Sequence, residues 1–309
     1  MSDVKNVVII GSGPAGLTAA LYSARAELKP VVIAGLKPGG QLTETTEVEN
    51  FPGFPEGIQG PELMEKMLAQ VKRFGTEVVS ENVVSVDFSK KPLAIATDTQ
   101  TFYSKAVIIA TGADANWLGL DNEQKLRGKG VSACATCDGF FFRGKEVVVI
   151  GGGDSAMEEA NFLTKFATQV TIVHRRAEFK ASKIMLKRAQ DNPKIKFITD
   201  VTVVDVIGTD RVEGVKVKHN DTGAEENISC QGYFAAIGHT PATSIFKNSG
   251  LEINDMGYIV PKQFTETSIP GVFVAGDVHD HRYRQAVTAA GEGCKAALDA
   301  EKYLQAQES

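Results

Sequence analysis

Cys134 and Cys137 are separated by two residues, in the run Cys134-Ala135-Thr136-Cys137-Asp138-Gly139. Two cysteines at this spacing can close a small disulfide ring that opens readily, and one thiol can resolve a mixed disulfide formed by the other. Asp138 is a candidate to donate and accept protons for the thiolates, with a turn or helix N-cap aspartate as its structural alternative. The run therefore favours dithiol–disulfide redox chemistry.

A zinc site is the alternative use of the same pair. Zinc needs further ligands at short spacing, and the remaining cysteines, Cys230 and Cys294, are isolated. The histidines do not supply a metal-binding spacing either; they are His174, His219, His239, His279 and His281. We therefore expect no metal site, and we expect Cys230 and Cys294 to be buried packing thiols.

Two glycine-rich turns each follow a short apolar run, Val7–Ile10 and Val147–Ile150. The turns are Gly11-Ser12-Gly13-Pro14-Ala15-Gly16 and Gly151-Gly152-Gly153-Asp154-Ser155-Ala156. In such a turn the first glycine permits the tight bend and the second lets a diphosphate approach the backbone. The third position, glycine or alanine, lets helix and strand pack closely. Because the motif occurs twice in the required context, the chain is predicted to bind two dinucleotides.

The residues after each turn differ in charge. A dinucleotide with a free ribose 2′-hydroxyl usually meets an acidic side chain at the end of the next strand, but here the second unit has His174-Arg175-Arg176. Guanidinium groups can bond a 2′-phosphate with paired donors, which favours NADPH over NADH; a solvated basic run is the alternative. The corresponding first strand end, 32–35, has neither acid nor base, so the fingerprint alone leaves its ligand undecided.

The turns also predict the fold class, an α/β chain. Strands apolar throughout, such as Ala106–Ala110, are typical of parallel strands covered on both faces. Helical patterns follow the turns at Leu17–Ala26 and Met157–Phe166, and strands follow them at Val31–Ala34 and Val170–Val173. Further strands are predicted near Lys196–Thr199, Val212–Lys218, Gly232–Gly238 and Gly271–Asp277, with a terminal helix over Gln285–Gln305.

We therefore predict two Rossmann-like three-layer nucleotide-binding domains, the second inserted into the first. Their expected boundaries are 1–115 with 244–309 for the first domain and 116–243 for the second.

Composition and charge exclude several classes of protein. The chain has 309 residues, of which 43% are hydrophobic and 23% charged, the profile of a soluble globular enzyme. A net charge of −5 gives no support for a nucleic-acid surface. The uncharged stretch Asn6–Ala24 is broken by glycines after four apolar residues, too few for a signal peptide or a membrane span. A cytoplasmic location is predicted.

Over nearly its whole length the chain resembles the low-molecular-weight, bacterial-type thioredoxin reductases, which are FAD enzymes of the pyridine nucleotide–disulfide oxidoreductase group. Besides the glycine turns, the cysteine run and His174-Arg175-Arg176, the matching segments are Gly39–Leu42, Glu49–Gly53, Ala110–Gly112, Ile237–His239, Gly271–Asp277 and Arg284–Ala286. Lys180 is a departure, since many members have an arginine-bearing segment there, and lysine cannot bond a phosphate in a fork.

The resemblance implies two cofactor sites. The residues it assigns to FAD are Gly11, Ser12, Gly13, Pro14, Ala15, Gly16, Gly40, Gln41, Leu42, Asn50, Ala110, Thr111, Gly112, Gly276, Asp277, Arg284, Gln285 and Ala286. The residues it assigns to NADPH are Gly151, Gly153, Asp154, Ser155, Ala156, His174, Arg175, Arg176, Ile237 and Gly238.

The implied activity is that of an NADPH-dependent thioredoxin-disulfide reductase. NADPH reduces FAD, which reduces the disulfide, with Cys137 toward the flavin; Cys134 then attacks thioredoxin by dithiol–disulfide exchange, with Asp138 moving protons. Because nicotinamide and cysteines share one domain, that domain is expected to rotate about linkers near 113–116 and 240–244. Homodimerisation is implied too.

Thioredoxin docking is expected at Lys129, Phe140 and Phe141, unless the phenylalanines pack inside their own domain. Two rival functions stay open. One is a flavin enzyme of the same fold acting on another acceptor, such as a small-molecule dithiol. The other is a nucleotide-sensing or zinc-stabilised regulatory module with no turnover.

Overall fold

The computed structural model describes residues 4–308, which form two compact units. The first unit is made of two stretches of the chain, one that ends at Asp114 and one that begins at Thr240. The second unit runs from Ala115 to His239. The helices are α1 (Pro14–Arg25), α2 (Gly60–Arg73), α3 (Asp121–Lys125), α4 (Ala135–Asp138), α5 (Asp154–Leu163), α6 (Lys183–Gln190) and α7 (Ala286–Glu308).

The strands lie between and around these helices. They are β1 (Val4–Ile10), β2 (Val31–Ile33), β3 (Glu47–Val48), β4 (Ile58–Gln59), β5 (Glu77–Val79), β6 (Val83–Asp87), β7 (Leu93–Thr97), β8 (Thr101–Ile109), β9 (Ala113–Ala115), β10 (Val131–Ser132), β11 (Glu146–Ile150), β12 (Gln169–Val173), β13 (Ile195–Ile198), β14 (Val201–Ile207), β15 (Gly214–His219), β16 (Glu225–Ser229), β17 (Gly232–Ala235), β18 (His239–Pro241) and β19 (Val272–Val274).

The first unit is built on one sheet in the order β5-β2-β1-β8-β7-β6, with β19 beside β8. Strands β5, β2, β1, β8 and β19 are parallel, and β7 and β6 add an antiparallel edge. Alternate residues of β1 face different cores: Val7 packs with α1 and α7, whereas Val8 packs on the opposite face with loop residues such as Phe246. Burial on both faces explains why β1 is apolar throughout.

The second unit has a parallel sheet in the order β10-β17-β11-β12-β13 and a separate antiparallel sheet β14-β15-β16. Val149 packs against α5 on one face, and Val148 packs on the other face with the antiparallel strands. The expected α/β class with two Rossmann-like sheets is therefore confirmed.

Several predicted boundaries shift in the structure. Helix α1 begins at Pro14, where proline is compatible with the first helical turn, and α5 begins at Asp154, where an acidic residue favours the helix start. Both begin three residues before the prediction. Among the strands that were not predicted, β6 and β16 are largely solvent-exposed and lack an apolar signal.

No helix within residues 4–308 combines the length and apolar character needed to cross a membrane. The same residues contain no group of three or more His, Cys, Asp or Glu side chains placed to hold a metal ion.

A buried carboxylate stabilises the second unit. Glu123 is 0% exposed, and its Oε1 accepts hydrogen bonds from the Tyr233 hydroxyl at 2.7 Å and the Leu118 N–H at 3.1 Å. Its Oε2 accepts the Gly119 N–H at 2.8 Å. The buried carboxylate thus accepts hydrogen bonds from three donors, and burial together with the hydrogen bond to Glu123 raises the pKa of Tyr233.

We predict that Glu123→Ala destabilises the second unit by about 2–3 kcal/mol, because it leaves the buried Tyr233 hydroxyl and the backbone N–H groups of Leu118 and Gly119 without their acceptor. Tyr233→Phe removes one hydroxyl and leaves two donors on the carboxylate, so it should cost only about 1 kcal/mol. The measurement is urea unfolding followed by the fluorescence of Trp117, the one tryptophan in the chain. Equal losses in the two variants would contradict this account.

Candidate active site

In the first unit, the predicted site residues meet at one edge of the sheet. Strands β1, β2, β8 and β19 are parallel, so their carboxyl ends point the same way. The glycine turn follows β1, Ala110–Gly112 follows β8, and Gly276-Asp277 follows β19 with one residue between. Ligands of open α/β sheets bind outside such carboxyl ends.

The glycines of the first turn have different reasons to be glycine. A Cβ on Gly11 would overlap the Ala110 carbonyl oxygen, and a Cβ on Gly16 would overlap the carbonyl of Gly11. Gly13 has an ordinary backbone, with φ −70° and ψ −176°, and a Cβ there would meet no atom of the described chain within 4 Å. Packing therefore explains Gly11 and Gly16, whereas Gly13 has the open space that a closely approaching diphosphate would require.

Ser12 links this turn to its surroundings. Its hydroxyl donates to the Ala34 carbonyl at 2.9 Å and accepts the Gly39 N–H at 3.0 Å. The next residue, Gly40, approaches the turn so closely that a Cβ on it would lie 3.3 Å from the Gly13 Cα. The predicted segment 39–42 is thus brought beside the predicted diphosphate turn, with Leu42 packed into the core of the unit.

Polar side chains from distant parts of the sequence surround this edge. The Gln41 amide donates to the Ala113 carbonyl, and the Thr111 hydroxyl donates to the Ala242 carbonyl at 2.9 Å. The Asn50 amide donates to the Gln285 side-chain oxygen at 3.2 Å.

Asp277 and Arg284 are partly buried side chains whose hydrogen-bonding groups are not fully used by the described chain. Burial, together with the charge of Asp280, raises the pKa of Asp277 to about 6, and no hydrogen bond to its carboxylate is found among residues 4–308. The Arg284 Nε is also buried, without a hydrogen-bond partner in the described chain. Buried polar groups normally have partners, so this carboxylate and guanidinium fit a polar ligand at the sheet edge.

Sequence reasoning missed Glu292. Its Oε2 accepts the Gly276 N–H at 2.7 Å and bonds the His279 ring at 2.8 Å. No sequence signal distinguishes it, because a glutamate in a long helix rich in Ala, Glu and Lys is ordinarily a solvated surface residue.

The second glycine turn repeats the pattern of the first. A Cβ on Gly151 would overlap the Ala236 carbonyl, and Ala156 is fully buried behind the turn. Gly153 has an ordinary backbone, and a Cβ on it would meet no described atom within 4 Å. Gly153, like Gly13, therefore has the open space that a closely approaching diphosphate would require. The predicted residue Asp154 also has a structural contact, since its carboxylate accepts the Ser182 N–H at 2.7 Å.

His174 differs from the two arginines that follow it. Its ring covers Gly152, stacks on Phe179 with centroids 5.0 Å apart, and bonds the Glu178 carbonyl. Burial lowers the pKa of His174, with a further lowering from Arg175 and Arg176, so the ring is neutral near pH 7. Arg175 and Arg176 are exposed. The cations available to a phosphate here are therefore the two arginines.

The remaining predicted residues of the second unit lie at the ends of its strands. Ile237 packs in the core, and Gly238, just after β17, accepts the Asn116 N–H on its carbonyl at 3.0 Å. Lys180 is exposed, and its backbone N–H donates to the Gly152 carbonyl at 2.8 Å, so the backbone of Lys180 lies beside the second glycine turn.

Cys134 and Cys137 are joined by a disulfide bond. They follow β10, which is parallel to β17, and β17 is parallel to β11, the strand before Gly151. Because these strands end at one edge, the disulfide and the second glycine turn lie on the same side of a single rigid sheet.

The two sulfurs have different environments. Cys134 is half-buried and is the N-cap of α4, and its Sγ accepts the Cys137 N–H at 3.1 Å. Cys137 is exposed. A thiolate at Cys134 would retain this N–H donor, which favours its ionised form.

Asp138 is placed to exchange protons with the pair. Burial raises the pKa of Asp138, and a hydrogen bond with the Ser132 hydroxyl opposes part of that shift. The same hydroxyl accepts the Cys134 N–H at 3.0 Å. Asp138 occupies the N-cap position of the short 3-10 helix Gly139–Phe142, but its side chain makes no cap hydrogen bond there. A carboxyl of raised pKa beside a dithiol suits general acid–base work.

The aromatic residues after the pair divide between surface and core. Phe140 is 51% exposed and has the Arg143 guanidinium over its ring at 5.3 Å, whereas Phe141 is half-buried against the core. Of the predicted docking residues, Phe140 and Lys129 are thus exposed. The expectation for the other cysteines is half right: Cys230 is buried, but Cys294 is only partly so.

The chain is similar to known proteins over nearly its whole length. A family profile described as pyridine nucleotide-disulphide oxidoreductase matches residues 5–293. The thioredoxin reductase of Rickettsia conorii is 54% identical over 309 residues, which cover 98% of this chain and 99% of that protein. The thioredoxin reductase of Streptomyces coelicolor is also 54% identical over 309 residues, covering 99% of this chain and 96% of that protein.

A solved structure agrees with these sequence matches. The thioredoxin reductase from Giardia duodenalis is 45% identical and superposes with a TM-score of 0.93, covering 97% of this chain and 98% of that chain. The two glycine turns and the disulfide fall within the region that all these comparisons share. The chain therefore belongs to the pyridine nucleotide-disulphide oxidoreductase family, within its thioredoxin reductases.

Proposed function

We propose that this protein is an NADPH-dependent thioredoxin-disulfide reductase. Electrons pass from NADPH, by way of FAD, to the Cys134–Cys137 disulfide and from there to thioredoxin. The observation that carries the proposal is the placement of a disulfide and an arginine-flanked dinucleotide turn on one edge of the same sheet. The thioredoxin reductases to which the chain is similar support thioredoxin as the acceptor.

The first unit is proposed to hold FAD. When bound, FAD supplies two-electron transfer between a nicotinamide and a disulfide. Gly13 leaves room for its diphosphate at the start of α1. The partly buried Asp277 carboxylate and the buried Arg284 Nε atom, which interact electrostatically, supply an acceptor and a donor for which no hydrogen-bond partner is found among residues 4–308. The remaining FAD residues predicted from the sequence stay predictions.

The second unit is proposed to bind NADPH. Gly153 leaves room for the diphosphate, and Arg175 and Arg176 have exposed guanidinium groups at the end of β12. Two forked cations match a 2′-phosphate. Lys180 adds a third positive charge without a fork.

The cysteines divide the exchange chemistry between them. After two-electron reduction, the Cys134 thiolate attacks one sulfur of the thioredoxin disulfide, and the other thioredoxin sulfur leaves as a thiolate that takes up a proton. Cys137 then attacks the Cys134 sulfur of the mixed disulfide, which releases reduced thioredoxin and restores the internal disulfide. Asp138 takes the proton from the attacking thiol and returns it to the leaving thiolate. The N–H contact to the Cys134 sulfur supports this assignment.

One geometric constraint makes a conformational change part of the proposal. The nicotinamide turn and the disulfide belong to one rigid unit, and each must reach the same flavin in turn. We infer that the second unit rotates about the linkers near 113–116 and 240–244. Docking at Lys129 and Phe140, a homodimeric assembly and a cytoplasmic location stay predictions.

The proposed function is tested by anaerobic NADPH titration of the purified protein, followed by flavin absorbance. Wild type should accept about four electrons, two for the flavin and two for the disulfide. Cys134→Ser and Cys137→Ser should each accept about two. A colourless protein, or a wild type that accepts only two, would contradict the proposal and favour a binding module or a flavin enzyme without disulfide chemistry.

Cofactor choice is tested by replacing Arg175 and Arg176 together with alanine. The loss of two charge-assisted contacts should raise the KM for NADPH by roughly tenfold or more, and the KM for NADH should change little because NADH has no 2′-phosphate. Steady-state kinetics with both cofactors measure this. Lys216→Ala, which removes an exposed cation of the same unit, is the matched control. Parallel losses with NADPH and NADH would exclude a 2′-phosphate role.

A further inference from the structure

A tight turn after β19 carries Asp277 to the edge of the first sheet. Gly276 has a left-handed backbone with φ +78°, and its carbonyl accepts the N–H groups of His279 and Asp280, each at 3.1 Å. The position of the Asp277 carboxylate therefore depends on whether this turn stays closed.

A carboxylate oxygen of Glu292 bonds two residues of the Gly276 turn and so holds the turn closed. The Glu292 Oε2 accepts the Gly276 N–H at 2.7 Å and bonds the His279 ring at 2.8 Å. The two side chains are only 19% and 13% exposed, so neither contact is easily replaced by water. Bonds to a charged, partly buried acceptor are stronger than those between neutral groups.

Helix α7 holds Glu292 in place against the first glycine turn. A Cβ on Gly293, the next residue, would overlap the Ala15 carbonyl, and a Cβ on Gly276 would lie 2.9 Å from the Ala15 Cβ. Helix α7, the Gly276 turn and the start of α1 thus meet with no spare space around Ala15. A shift of Glu292 would move Asp277 relative to Gly13.

Glu292 affects Asp277 in two opposite ways. Its charge disfavours ionisation of the Asp277 carboxyl, whereas its hydrogen bonds hold the turn that carries Asp277. The Glu292 carboxylate is one of the groups that raise the pKa of Asp277, so it disfavours the ionised form. The contacts at Gly276 and His279 need only an oxygen acceptor, which a glutamine amide also provides. The role of Glu292 is therefore expected to depend on its oxygen and not on its charge.

We propose that Glu292, acting with His279, is a positioning residue for the FAD site: it keeps the Gly276 turn closed and so holds Asp277 at the sheet edge beside the first glycine turn. This inference rests on the proposed binding of FAD by the first unit.

The test compares the affinity for FAD of wild type, Glu292→Ala, Glu292→Gln and His279→Ala. Each purified protein is stripped of FAD and titrated with it, and binding is followed by the change in flavin fluorescence. Glu292→Ala should bind FAD about 10–100-fold more weakly, since two contacts to the turn are lost. His279→Ala should lose about 3–10-fold, and Glu292→Gln should stay within about threefold of wild type, because its oxygen keeps both contacts.

The matched control is Glu301→Ala, which removes a carboxylate from the same helix where it accepts a bond from Gln305; its FAD affinity should equal that of wild type. NADPH binding to the stripped proteins, followed by nicotinamide fluorescence, should be unchanged throughout. If Glu292→Ala does not fold, His279→Ala and Glu292→Gln still decide the question.

FAD affinity unchanged in Glu292→Ala or His279→Ala would overturn the inference, as would a Glu292→Gln variant as weak as Glu292→Ala. A wild-type protein that itself fails to bind FAD would instead refute the proposed function.

Discussion

Parallel strands of one sheet have their carboxyl ends at the same edge, and this constraint determines where the disulfide and the glycine turns lie. In the second unit, β10 leads to the disulfide and β11 leads to the second glycine turn, with β17 between them. The sheet is rigid because its strands are buried on both faces. In the proposed cycle the NADPH site and the disulfide therefore move together, and we expect each of them to reach the flavin through motion of the whole unit. The sheet itself thus makes rotation a requirement of the proposed cycle.

Both units have a glycine-rich turn between a strand and a helix, and only some of its glycines are required by packing. Gly11, Gly16 and Gly151 are glycines because their own chain leaves no space for a Cβ. Gly13 and Gly153 have ordinary backbones and open space, so the fold does not need them to be glycine. The open space at these two positions fits the proposed approach of a dinucleotide diphosphate to each turn.

Much of the fold follows from the sequence because buried parallel strands and glycine turns leave strong local signals. The strand Val147–Ile150 and the turn after it were predicted where the structure has them. Contacts made across long distances left no such signal. Glu292 was missed because its partners, Gly276 and His279, are brought to it only by the packing of α7. His174 was grouped with the arginines by its neighbours in sequence, but Phe179 and Gly152 make it a packed, neutral ring.

The division of labour between the cysteines is the central claim, and it rests on the Cys137 N–H group that donates to the Cys134 sulfur. Its most direct measurement is covalent trapping with oxidised thioredoxin after reduction by NADPH, read by intact mass. Cys137→Ser leaves Cys134 to attack without a resolving thiol, so it should accumulate a mixed disulfide with thioredoxin, and Cys134→Ser should form little. Trapping that is stronger through Cys137 than through Cys134 would contradict the account.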